Sequence, residues 1–344
     1  MIKNDHRIHL SCTGSYLLAN NTKFSDLELL TCYSGLFLIR NNLLQFSQFS
    51  CNAYPENIVR YSDKACAHNS IIIEIGFKVS NRFLNQIDLC FDKHLQTTLY
   101  SHFSLSPSIR GKQIDFYRPA WINDDVYRFG IDSVNTLYTK KRQTLTVNKL
   151  LGLPSDSTKI INPSSNYYLA RGHLTAKSDF VFGVQQLLTF HLVNAAPQWQ
   201  VFNAGNWLRV EQAVRNYAIS NNVILDVYTG TYGVLSLPHS ETGEEVDIYL
   251  FNDGDTKALP VPLLFWKVVY SPLFKAAIAI VGVNNPYLKD PVAVEICEDI
   301  SHYISWKTWI KEDLEKGYIY VCTVDDFSRK VNYLPPLEVG RVLD

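Results

Sequence analysis

From Val223 to Asp326 the chain carries a series of apolar runs of strand length, "VILDVYTG", "EVDIYLFND", "PLLFWKVVYS", "KAAIAIVGV" and "YIYVCTVDD". Runs this short, rich in Val, Ile, Tyr and Phe, fit buried strands; a membrane helix takes about 18 apolar residues. Further β-type runs, "LFLIR", "SIIIEIGFKVS" and "QIDLCFD", fall within residues 1 to 105, among Asn, Ser and Pro clusters. The middle of the chain is mixed. "VNTLYTKKRQTL" and "TFHLVNAAPQW" read as strands, and "NWLRVEQAVRNYAIS" as a helix whose Trp207, Val210, Val214 and Tyr217 share one face. Strands around a few helices predict an α+β fold with a mainly antiparallel sheet. The passage "SLSPSIRGKQIDFYRPAW" is punctuated like a boundary and divides a β-rich N-terminal region, 1–105, from a second domain, 106–344. "NDGDT" sits between two strand runs, lacks the later glutamate of a calcium loop, and reads as a turn.

Length and composition narrow the chemistry. With 344 residues and 47% hydrophobic content the chain builds a sizeable core. Its net charge of -1 conceals an asymmetry: Ile109 to Ser178 holds eleven Lys or Arg against five acids. Such a region is either a solvated surface or a field for an anionic ligand. None of the seven cysteines forms a C-x-x-C pair, which argues against a zinc ribbon or a thioredoxin-like site. Five lie in the first ninety residues and two in the last fifty, the distribution of two separately stapled regions with one thiol left over. The alternative is that they are small buried hydrophobes.

Serine-hydrolase, zincin and P-loop signatures are all missing. What remains is a polar series from "LARGHL" onward: Arg171, His173, Asn194, Asn203, Glu211 and Arg215. Phosphodiester hydrolysis needs a base to deprotonate water and cations to take up charge on the phosphoryl and leaving oxygens. A histidine, ordinarily near pKa 6.5, accepts a proton at neutral pH, so activity is expected to fall as His173 becomes protonated. Each residue alone also has a plain structural reading. His173 suits a packed strand position, Asn203 a helix N-cap, and Glu211 with Arg215 a surface i, i+4 pair. In an unbroken helix, Asn203 and Glu211 stand about 12 Å apart along the axis.

Taken together, "ARGHLTAKSDF", "FHLVNAAPQWQVFNAGNW" and "RVEQAVRNYA" resemble the DNA/RNA non-specific endonuclease family, the ββα-metal (His-Me finger) nucleases with a D-R-G-H signature. "FWKVVY", "VGVNNPYL" and "SWKTW" are similar to its arthropod double-stranded-ribonuclease branch, and the resemblance runs from about Phe116 to Arg329. It implies a ββα-metal nuclease domain acting on double-stranded RNA, DNA or both. His173 would be the general base, Asn203 the protein ligand of one magnesium ion, replaceable by manganese, and Glu211 the holder of one of its waters. Asn194 would order the site, and Arg171 and Arg215 would bind phosphate. Arg142 and Lys177 would be further substrate contacts. Ala170 stands where many relatives have aspartate. The resemblance also implies secretion. The first thirty residues lack a signal-type apolar segment, so an incomplete N-terminus is expected, in keeping with the clustered cysteines and the Asn20-Asn21-Thr22 sequon. Two other readings are a catalytically inactive nucleic-acid binder on the same fold and an intracellular, mitochondrial-type DNA endonuclease.

Overall fold

Phe265 and Trp266 are adjacent in sequence, fully buried, and pack into different layers. Phe265 meets Phe202 and Trp207, whereas Trp266 meets Phe327 and Tyr333. Successive strand residues point to opposite faces, so this pair marks a sheet covered on both sides. That is why the "PLLFWKVVYS" and "KAAIAIVGV" runs are almost continuously apolar and do not alternate with polar residues.

The computed structural model describes residues 2–128, 130 and 133–344. The elements that concern the site are β1 (Arg82–Asp92), β2 (Thr97–Leu105), α1 (Lys140–Leu150), β3 (Leu169–His173), β4 (Ala195–Trp199), α2 (Leu208–Asn221), β5 (Leu225–Val234), β6 (Pro262–Ser271), β7 (Ala276–Val283) and β8 (Ile319–Cys322). Hydrogen-bonded neighbours in the main sheet run β8-β7-β6-β5-β2-β1, continued by Ile71–Val79 and Ile58–Ala65. The β1 to β8 ladders of this sheet are antiparallel, and a short parallel strand, Arg341–Val342, pairs with β7. This is the α+β architecture with a mainly antiparallel sheet.

The chain forms two compact units, 1–60 with 74–86, and 61–73 with 87–344. In the first, short strands such as Arg7–Ser11, Leu27–Tyr33 and Leu36–Ile39 surround a core containing Leu17, Leu30 and Ile39. In the second, the Pro- and Gly-marked passage after β2 is a 3-10 turn, Pro107–Gly111, and the chain on both sides of it belongs to this unit. Three disulfides join Cys12 to Cys51, Cys66 to Cys90 and Cys297 to Cys322, and Cys32 remains a free, buried thiol.

Two segments differ from their sequence reading. "VNTLYTKKRQTL" is a 3-10 turn followed by α1, which Thr139 caps by accepting from the Arg142 N–H. The buried face of α1 is largely polar: Gln143, Thr144, Val147 and Asn148. Gln143 there bonds both the N–H and the C=O of Leu169, so it pairs with the backbone of β3 as a neighbouring strand would. "TFHLVNAAPQW" becomes two 3-10 turns before β4, because the buried Asn194 amide takes up the carbonyls of Thr175 and Thr189 and locks a corner.

Candidate active site

The hairpin of β3 and β4 pairs His173 with Ala195 and Leu169 with Trp199. Buried Asn284 fixes it to the sheet, accepting from Trp199 N–H and donating to the carbonyls of Pro197 and Pro262. Gly172 is required by close packing, since a Cβ there would lie 2.4 Å from Gln198 Oε1. Immediately after His173, the Asn194 carbonyl and side-chain oxygen accept the N–H groups of Leu174 and Thr175. These bonds aim the His173 ring between Trp121, 4.6 Å away centroid to centroid, and Phe190, 5.1 Å away. Its Nε2 is buried and has no hydrogen-bond partner among the described residues.

The helix beside the hairpin is broken, not continuous. Gly205 has φ -94° and ψ -121° inside the Asn203–Trp207 turn that precedes α2. The break is pinned by Asn206, which bonds Lys316, Ile310 and Gly317. The unbroken helix on which the axial separation of Asn203 and Glu211 was reckoned is therefore not formed, and the first turn follows a different helical path. Asn203 is no N-cap: its Nδ2 donates to Gln200 Oε1, and its Oδ1 accepts nothing from the described residues. Beyond the break, Trp207, Val210, Val214 and Tyr217 are all buried, as their spacing required.

His173, Asn203 and Glu211 line a single cavity of about 190 Å³ with Lys177 and Arg118. Arg118 escaped the sequence reading because it lies in "DFYRPAW", taken as a boundary; its signal was membership of the basic region. Its guanidinium stacks over Phe190, the ring that also packs on His173. The other candidates lie elsewhere. Arg215 is buried in a 2.6 Å ion pair with Asp179 and stands 3.9 Å from Glu211, so the pair expected at the surface is part of the core. Arg171 stacks on Tyr138 and donates to the Asn135 carbonyl, outside the cavity. Arg142 lines a separate cavity with Lys149 and the 252–254 turn. Asn194 is wholly buried and acts through the backbone.

Burial dominates the electrostatics. It pushes the His173 imidazole down to about 3, helped by Arg118 and Lys177, so the ring is neutral at any ordinary pH. It pushes Glu211 up to about 7, reinforced by Asp179 and opposed by Arg215, Lys267 and Lys112. Lys267, on the face of β6 that carries Phe265, is buried beside this cluster, donates to Thr229 Oγ1 and has a lowered pKa.

The side-chain oxygens lining the cavity are the Asn203 amide, the Glu211 carboxylate and the Ser178 hydroxyl. Among the described residues no three His, Cys, Asp or Glu side chains gather to hold a metal. A set of few protein oxygens suits a hard cation better than a zinc-type cage.

A two-strand hairpin carrying a histidine, beside a turn carrying Asn203 and the helix that follows it carrying Glu211, has the fold of the ββα-metal nucleases. The chain belongs to the DNA/RNA non-specific endonuclease family, whose sequence model matches residues 68–327. This is a family of metal-dependent nucleases, and the protein is a nuclease-type hydrolase. It is 30% identical over 324 residues to the "Salivary endonuclease" of Lutzomyia longipalpis, covering 92% of this chain and 72% of that protein. It is 24% identical over 331 residues to "Salivary protein Tsal2A" of Glossina morsitans morsitans, covering 95% of this chain and 80% of that one. A solved EndoG/EndoGI complex superposes with a TM-score of 0.47 at 18% identity, over 76% of this chain and 89% of that chain.

Proposed function

We propose that the protein is a secreted, magnesium-dependent endonuclease that hydrolyses phosphodiester bonds in double-stranded RNA, DNA or both, with little sequence preference. The observation that carries this reading is the convergence of His173, Asn203, Glu211, Arg118 and Lys177 on one cavity. His173, neutral through burial, accepts a proton from the attacking water. Arg118 and Lys177 bind the phosphate oxygens, a task the sequence had given to Arg171 and Arg215. Asn203 Oδ1 and the Glu211 carboxylate are the protein oxygens that would hold magnesium, or manganese in its place. When bound, the ion supplies positive charge to the phosphate and the leaving oxygen. Arg215 balances Asp179 and keeps Glu211 in position, and Asn194 holds the corner from which His173 projects. Phosphate-directed binding gives a steep salt dependence and little base preference. Three disulfides, and the salivary names of the relatives, support secretion.

The test is digestion of matched double-stranded RNA and DNA with magnesium and with EDTA, by the wild type and by His173→Ala. Expected are cleavage of at least one duplex with magnesium, none with EDTA, and a loss of 100-fold or more in the variant, roughly the share of a general base. A His173→Ala protein that cleaves at the wild-type rate would refute the mechanism.

A further inference from the structure

Phe182 and Ile114 are large apolar side chains, 63% and 71% exposed. The two segments that carry them also supply the cavity. Arg118 lies four residues beyond Ile114, and Ser178 four residues before Phe182. Gln113 fastens these segments together. Its N–H donates to the Val181 carbonyl at 2.8 Å, its Oε1 accepts from Gly183 N–H at 3.0 Å, and its carbonyl accepts from Gln186 Nε2 at 2.9 Å. Lys177 of the cavity donates to the Phe116 carbonyl at 2.7 Å, and the Phe116 ring lies where a Cβ on Gly183 would be.

The local chemistry does not need Phe182 as a helix cap. It occupies the position before a helical turn, where Ser, Asn or Asp is usual because the side chain accepts an otherwise orphaned N–H. Here Gln113 accepts from Gly183 N–H and Gln185 Oε1 accepts from Phe182 N–H, so capping is done by neighbours. Among the described residues the Phe182 ring has no aromatic or cationic partner. Two exposed apolar side chains on joined segments that also carry Lys112, Arg118 and Lys177 suit a ligand that is apolar at one point and anionic at the next. A nucleic-acid strand has that alternation.

We propose that Phe182, on the segment that Gln113 fastens to that of Ile114, is a stacking platform for one base of the substrate, displaced from its duplex stack next to the phosphate held by Arg118 and Lys177. The platform deepens the endonuclease reading and rests on it for the identity of the ligand. Base-on-aromatic stacking tolerates any sequence, because every base has a π-face. It therefore adds affinity without specificity.

The test compares wild type, Phe182→Ala and Phe182→Tyr in three measurements: binding of a short duplex in EDTA, magnesium-dependent cleavage of that duplex, and cleavage of bis(p-nitrophenyl) phosphate, which has no base to stack. Expected for Phe182→Ala is a loss of roughly tenfold in duplex binding and in kcat/KM on duplex. The small diester is unaffected, and Phe182→Tyr recovers the duplex values. Unchanged duplex binding, an equal loss on the small diester, or a change only in self-association would overturn the platform. A wild type that binds duplex through Phe182 yet cleaves neither substrate would overturn the proposed activity and leave the platform supported.

Discussion

At the scale of single residues, two pKa shifts of opposite sign reassign the pH response. Sequence reasoning placed the acid-side loss of activity on His173, titrating in the usual histidine range. With His173 depressed to about 3 by burial and two cations, it stays neutral throughout that range. Glu211, raised to about 7, is ionised above that value and protonated below it, and in the proposed mechanism the protonated form would hold the cation less well. Activity should therefore be present at pH 8 and fall as the pH drops through about 7. Added magnesium should move the fall to lower pH, because a nearby cation favours the carboxylate. The Glu211→Gln variant, slower at all pH values, should lose the acid limb between pH 8 and pH 5. A pH-rate profile of the variant that keeps the wild-type limb would return the titration to His173. The sequence made His173, Asn203 and Glu211 legible because they sit in one spaced motif. Arg118 was not legible, since only folding brings its distant segment over Phe190.

At the scale of elements, helix α2 was readable from its apolar period, whereas α1 was not, because its buried face carries Gln143, Thr144 and Asn148. Apolar periodicity cannot register a face that is buried through hydrogen bonds. The same blindness affects the inner end of α2, where spacing paired Glu211 with Arg215 but gave no sign of Asp179. The ion pair of Arg215 with Asp179 is almost fully removed from water, so its value lies in completeness. Removing one partner leaves a buried charge unbalanced, at a cost of about 3–5 kcal/mol. Arg215→Met should thus lower the denaturant midpoint sharply. The double variant Asp179→Asn, Arg215→Met should recover much of the loss, because it removes both charges together. Equal stability of the two variants in urea unfolding would mean that Arg215 stabilises by packing alone.

At the scale of the whole molecule, the spacing of cysteines along the chain carried more information than any local pattern. The five in the first ninety residues supply two disulfides and one leftover thiol, and the two near the C-terminus supply the third. Connectivity was not legible: Cys66 and Cys90 are joined because folding brings them into one core, while Cys32 is packed in a different core. That core changes how a thiol assay reads. Cys32 is 1% exposed, so a native protein with all three bonds formed should react with almost no thiol reagent. After denaturation without reductant one thiol should appear, and after denaturation with reductant all seven. The disulfide of Cys297 and Cys322 holds the start of the C-terminal segment against β8, whose Tyr320 lies in the same core as Trp266. Reduction should therefore lower thermal stability even under conditions where the protein stays folded. Bridges of this loop length are typically worth 2–4 kcal/mol each. Seven reactive thiols in the denatured, unreduced protein would show that the bonds do not form, and would move the protein to a reducing compartment.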